Sequence, residues 1–300
     1  VLTEPLYAMT WALFAAASIE TWRRGFDPRF SALTGALLGA GILVKPTLAV
    51  LVVVVPISLS IAGLLARCRL RRIIAANAAL LAMSLMVILP WLVRSTVLSG
   101  APAMTDAGYL EASLAHRFGY QSMTATEWLI GWLYFLPDFG DKLAALLFEP
   151  SAFVRLGWGD SGFYHYGSQE LHAQARALTA PDPATRYLLT TYVLGDPLRF
   201  IAVTGLLLWR GLFIGTYWGL VGLLALPFVL LAGSARLRTG LFVVGAPAVA
   251  LAVVHAAVSV SIPRYNIALA TVYAPVVAYG LGRAASAVLA ALKTKRRQAE

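Results

Sequence analysis

Long apolar runs broken by short arginine and glycine clusters divide most of the chain into segments with the length of membrane-crossing helices. The pattern predicts seven spans, at about Glu4 to Thr21, Phe30 to Val44, Thr47 to Ala66, Ile73 to Leu92, Tyr217 to Ala232, Gly240 to Val260 and Asn266 to Leu292. A helix needs about 20 apolar residues to cross a bilayer core. The second segment is short, which implies little tilt or a thinned bilayer. Between the fourth and fifth spans the pattern changes. Residues 94–215 carry Trp128, Trp132, Tyr134, Phe135, Trp158, Tyr164 and Tyr166, the amphipathic aromatics that favour a membrane–water interface. Trp128 to Phe148 predicts an interfacial or re-entrant helix broken at Pro137. Arg199 to Arg210 predicts a helix in the headgroup plane, apolar through Phe200, Ile201 and Leu206 to Trp209 with an arginine at each end. Pro181 and Pro183 mark a loop.

The expected fold is therefore an all-α integral membrane protein of about seven transmembrane helices with a large extracytoplasmic segment containing interfacial helices. Its parts are an N-terminal membrane region (1–93), the extracytoplasmic segment (94–215), and C-terminal transmembrane helices with a basic cytoplasmic tail (216–300).

Composition agrees: 59% of residues are hydrophobic and 13% charged, against about 25% charged in soluble domains. Charge also orients the spans, because cytoplasmic loops are rich in lysine and arginine. Placing Arg23, Arg24 and Arg29, then Arg67 to Arg72, then Arg236 and Arg238, then Arg283 to Arg297 on the cytoplasmic side gives strict alternation across all seven spans. Residues 94–215 hold eight basic and ten acidic residues, a balance of −2. The remainder holds sixteen and four, or +12. The net charge of +10 is thus a topology signal, and nucleic acid is not an expected partner. The expected location is a bacterial inner membrane, with the C-terminus cytoplasmic. Cys68 is the single cysteine, so no internal disulfide forms. The chain opens at Val1 directly into an apolar helix, without the charged region and cleavage site of a signal peptide. A fragment lacking its N-terminal part is expected.

Four ionisable residues lie at outer ends of spans: Glu4, Lys45, Arg94 and Arg264. Helix packing that gathers them would create a charged pocket above an apolar interior. A lipid phosphate wants positive charge and donors, and its tail wants an apolar groove. Each residue also has a plainer role. Glu4 suits a helix start, Lys45 suits a lysine snorkelling to the interface, and Arg94, like Arg264 with Tyr265, suits an interface anchor. His116, His165 and His172 show no zinc-type spacing and suit solvated loops. His255 falls mid-span, as a polar contact between helices. Gly157-Trp158-Gly159-Asp160 suits a turn beside an aromatic anchor.

The run Leu2-Thr3-Glu4-Pro5-Leu6-Tyr7, the small-residue stretch Gly35 to Pro46 ending Leu43-Val44-Lys45-Pro46, then Pro90-Trp91-Leu92-Val93-Arg94 and Pro263-Arg264-Tyr265 together resemble the GT-C fold polyprenyl-phosphate-sugar glycosyltransferases. More narrowly, they resemble bacterial relatives of protein O-mannosyltransferases and aminoarabinose lipid A transferases. The resemblance implies transfer of a sugar from a polyprenyl-phosphate-linked donor to an extracytoplasmic acceptor within the lipid bilayer. It places Glu4 near the catalytic centre, Lys45 on the lipid-linked phosphate, and Arg264 with Tyr265 at phosphate or headgroup contacts. Arg94 joins them as a phosphate-binding candidate. No metal ligands are assigned, and a divalent cation is open as cofactor. The family's principal catalytic aspartate lies upstream of the helix that Glu4 begins, and no residue of this chain matches it. Two other classes stay in view. A transporter or lipid flippase predicts ionisable residues at mid-depth and matched helix breaks, and a non-catalytic scaffold predicts that Glu4, Lys45 and Arg264 lie far apart.

Overall fold

The computed structural model describes residues 3–100, 102–105, 107–180 and 184–299. The positions Leu2, Pro181 and Pro183 lie outside these described residues, and the side chains of the basic tail from Lys293 onward are likewise not described. All regular structure among the described residues is helical. The chain begins with α1 (Thr3–Arg23), α2 (Pro28–Val44), α3 (Leu51–Leu65) and α4 (Leu70–Ser99). Next come α5 (Ala107–Gly119), α6 (Ala125–Tyr134), α7 (Gly140–Leu147), α8 (Phe163–Tyr166), α9 (His172–Thr179), α10 (Thr185–Leu189) and α11 (Pro197–Gly211). The chain returns to long helices with α12 (Tyr217–Ala232), α13 (Ala235–Val258) and α14 (Ala270–Ala299).

Among the described residues four stretches are long and apolar enough to cross a membrane: Pro46–Leu65, Leu70–Leu98, Ala235–Val258 and Pro263–Ala290. Pro28–Val44 and Tyr217–Ala232 are apolar but shorter. The helix α1 has 21 residues, but Glu4, Thr10, Ser18, Glu20 and Thr21 lower its apolarity. Val53, Ile57, Ile61 and Leu64 form a stripe at helical spacing on α3, and all four are exposed. Leu81, Leu85 and Leu89 do the same on α4. Apolar surface of this extent suits membrane association.

Against lipid, helices gain little from burying leucine and depend on close backbone approach. Gly35 and Gly39 supply it on α2. A Cβ on Gly35 would lie 2.1 Å from the Leu80 carbonyl oxygen of α4, and one on Gly39 would lie 2.8 Å from that of Ser84. Ser84 Oγ donates to the Gly35 carbonyl at 2.9 Å across the same contact. The main core joins α1, α2, α3, α4, α13 and α14 through Trp11, Phe14, Leu38, Leu51, Leu80, Leu251 and Tyr273.

Residues 107–211 build two further cores at one end of this bundle. Thr124 and Glu127 start α6 by exchanging hydrogen bonds, Glu127 Oε2 accepting from the Thr124 N–H at 2.7 Å. The expected break at Pro137 is present: α6 ends at Tyr134, α7 begins at Gly140, and Asp138 between them has φ 58°. Asp196 caps α11 by accepting from the Arg199 N–H at 3.0 Å. The Thr185–Leu194 stretch meets α11 at 97°. On α11, Val203, Leu206 and Leu207 are buried against protein, whereas Leu198 and Ile201 are exposed.

Candidate functional site

The site begins with Pro46. A proline disfavours the helical conformation for the residue before it, and α2 stops at Lys45, whose backbone is extended (φ −142°, ψ 97°) while its N–H still closes the last turn on Gly41 at 2.8 Å. The ammonium stands 4.5 Å from the ring centre of Tyr7 on α1 and 4.8 Å from that of Tyr265. It donates to the Tyr265 carbonyl at 3.4 Å. Among the described residues no carboxylate lies within 4.0 Å of it. Burial pushes the Lys45 ammonium down to about 8; the nearby Glu4 charge opposes that shift and the Arg264 charge adds to it.

Tyr265 and Arg264 lie on a 3₁₀ segment, Pro263–Leu269, between α13 and α14. Asn266 leaves helical dihedrals (φ −101°, ψ 24°) and ties this segment down. Its amide donates to the Gly211 carbonyl at 3.1 Å and to Ser261 Oγ at 3.2 Å, and its Oδ1 lies 2.8 Å from His255 Nδ1. An amide oxygen only accepts, so Nδ1 carries the proton. In the neutral ring Nε2 then accepts from Thr47 Oγ1 at 3.3 Å. Thr47, beside Lys45, is thereby fixed from the other side of the bundle. Arg264 Nε lies 3.5 Å from Glu4 Oε1, and both side chains are more than half exposed, so the pair is screened by solvent.

These groups line a cleft of about 500 Å³ whose walls include Glu4, Tyr7, Lys45, Thr47, Thr105, Tyr109 and Tyr265. The Tyr7 hydroxyl is buried and has no hydrogen-bond partner among the described residues. A groove of about 580 Å³ runs between α1, α13 and α14 from Ala15 to Val244; apart from Glu20 and Arg236 its walls are largely apolar, and it gathers no such constellation.

The structure thus brings together Glu4, Lys45, Arg264 and Tyr265, from three separate parts of the chain. Arg94 is not among them. The helix α4 continues past it to Ser99, and its guanidinium packs 5.2 Å over the ring of Trp91 on the same helix, away from the cleft lining. Tyr7, Thr47, Thr105, Tyr109 and Asn266 join the site without having been singled out by the sequence. Tyr7 was visible within the Leu2 to Tyr7 run, but nothing local marks a tyrosine as the floor beneath a lysine 38 positions on.

His116 and His172 differ from solvated loop residues. His116 stacks on Tyr164 at 4.5 Å, and His172 Nε2 bonds Glu111 Oε1 at 2.8 Å. His255 is the expected polar contact between helices. No group of three His, Cys, Asp or Glu able to hold a metal ion occurs among the described residues.

Chemically, among the described residues the cleft offers a cation with no acid in contact, a phenol without a partner, and further hydroxyls, with one carboxylate at the rim. Charge and donors of this kind are the chemistry that suits an anion of phosphate type. Comparison with family models, with curated proteins and with solved structures found no match for the chain.

Proposed function

We propose that this protein is a membrane glycosyltransferase that moves a sugar from a polyprenyl-phosphate carrier to an extracytoplasmic acceptor. The observation that supports it best is the under-partnered Lys45 ammonium, set between Tyr7 and Tyr265 at the mouth of a cleft that also holds Glu4 and, through it, Arg264. A scaffold would have no reason to gather these groups. The proposal includes the seven-span arrangement, with α1, α2 and α12 crossing beside the four longer apolar stretches, the arginine-rich ends cytoplasmic, and residues 94–215 outside.

In this reading the donor phosphate sits against Lys45. An acceptor oxygen attacks the anomeric carbon. The new C–O bond forms as the bond to the phosphate oxygen breaks, and the electron pair leaves with the carrier phosphate. The acceptor proton passes to a carboxylate, for which Glu4 is the group in the cleft. Lys45 and Arg264 stabilise the charge growing on the leaving phosphate, where a positioned donor is worth about 10²–10³ in rate. The test is transfer of label from a polyprenyl-phosphate sugar in membranes carrying the protein, wild type against Lys45→Ala. Loss of transfer is expected, and undiminished transfer removes Lys45 from the mechanism.

A further inference from the structure

Arg264 also lines a second cavity, of about 540 Å³, whose walls include Tyr134, Phe135, Trp158, Arg210 and Ile262. Its size lies within the roughly 300–1,000 Å³ range of small-ligand sites. The notable group is Arg210, at the end of α11. It is 7% exposed, and among the described residues no carboxylate lies within 4.0 Å of it. Its guanidinium is held in place by aromatic rings, 4.5 Å from Trp158 and 4.7 Å from Phe135. It donates one hydrogen bond, from Nη1 to Tyr120 Oη at 3.0 Å. A guanidinium carries five N–H donors. Among the described residues Nε and Nη2 have no protein partner, yet neither is sealed from solvent, and Arg210 lines the cavity. A buried cation normally has an acid beside it. Here the rings fix the fork's orientation and leave its donors free.

The ring beneath that guanidinium, Trp158, is itself 52% exposed; it lies on the turn before α8 and is braced edge-on by Tyr164 at 5.4 Å. A flat apolar ring beside a polar cavity suits the C–H face of a pyranose, and a fixed guanidinium suits a carboxylate or phosphate bidentately. We propose that this cavity binds an anionic sugar, a saccharide unit bearing a carboxylate or phosphate, with the acid group on Arg210 and the ring against Trp158. The site stands on its own geometry and does not require that the protein transfer sugars.

The test is calorimetric titration of the purified full chain in nanodiscs with glucose 1-phosphate, glucuronate, glucose and inorganic phosphate. At least one of the two anionic sugars should bind tenfold or more tightly than both glucose and inorganic phosphate; the tighter of the two identifies the acid group. Arg210→Gln should weaken that binding at least tenfold, and Trp158→Ala should weaken it severalfold. Lys45→Gln should leave it within twofold, which separates this cavity from the Lys45 cleft and from the transfer proposal. Equal affinity for glucose, no binding of any probe, or loss in Lys45→Gln with retention in Arg210→Gln overturns the proposal. Should Arg210→Gln fail to fold, as judged by its thermal transition, unchanged affinity in Trp158→Ala overturns it equally.

Discussion

Glu111 and Lys45 are both charges withdrawn from water, and their surroundings differ in kind. The Glu111 carboxylate on α5 is bonded by Arg176 Nε at 2.5 Å, His172 Nε2 at 2.8 Å and the Ala184 N–H at 3.1 Å. Desolvation pushes its pKa up, but the Arg176 bond, then the Ala184 N–H, His172 and the Arg176 charge, outweigh it and hold the carboxyl below its ordinary value. It joins α5, α9 and the approach to α10, and nothing is left over to bind anything else. Lys45 has one long bond to a carbonyl and two ring faces. A saturated charge is a fastener. An unsaturated one keeps its capacity for a ligand, at a cost in stability.

The strongest test of that contrast is Lys45→Met. Transfer from the lipid-linked donor should fall by about 10²–10³, while the thermal midpoint holds or rises, because an unpaired buried charge has been removed. A lower midpoint with transfer intact would reverse the comparison. Glu111→Ala should do the opposite. Unfolding free energy should drop by about 2 kcal/mol, the scale of hydrogen bonds to a charged group, discounted because the Arg176 side chain is 59% exposed. Affinity for a short-chain polyprenyl-phosphate analogue should stay within twofold; wild-type stability would show that Glu111 fastens nothing.

Proton dependence sharpens the difference further. With Lys45 lowered to about 8, its charge fades as pH rises through that value. Analogue affinity should therefore decline above pH 8, approaching tenfold per pH unit until the pKa of the occupied site is reached. Glu111 runs the other way. Its folded pKa lies below the unfolded one, so its stabilisation is fully present above the ordinary carboxylate range and is lost as pH falls through the lowered value. Titrating analogue affinity from pH 6.5 to 9.5, and thermal midpoint from pH 7 down to 3, reads both; a flat affinity profile above pH 8 would detach Lys45 from the ligand. Arg94→Ala should matter least, leaving transfer and analogue affinity within twofold, and a tenfold loss would return Arg94 to the site.

Much of this was legible from residue order alone. Helices form where apolar runs predicted them, and the expectation that helix packing gathers charged helix ends matches the pairing of Glu4 with Arg264 near Lys45. Arg94 misled because a charge after Trp91 looks like the end of a span, whereas the helix is stopped at Gly100, which adopts φ 76°. The fastenings were not legible. Glu111 meets Arg176 across 65 positions, and Arg117 bonds the Ala256 carbonyl across 139. Such pairings carry no periodicity and no motif. His172, expected in a solvated loop, instead grips a carboxylate because α5 and α9 pack together.

Arg264 belongs to two chambers. It pairs with Glu4 at the rim of one and lines the wall of the other, on a segment anchored at its midpoint by Asn266. A side chain in that position makes the two occupancies thermodynamically reciprocal. Whatever factor a phosphate in the first chamber contributes to binding in the second, an occupant of the second must return to the first. Asn266→Ala, by loosening the anchor of the Arg264 segment, should change that coupling factor without touching either ligand.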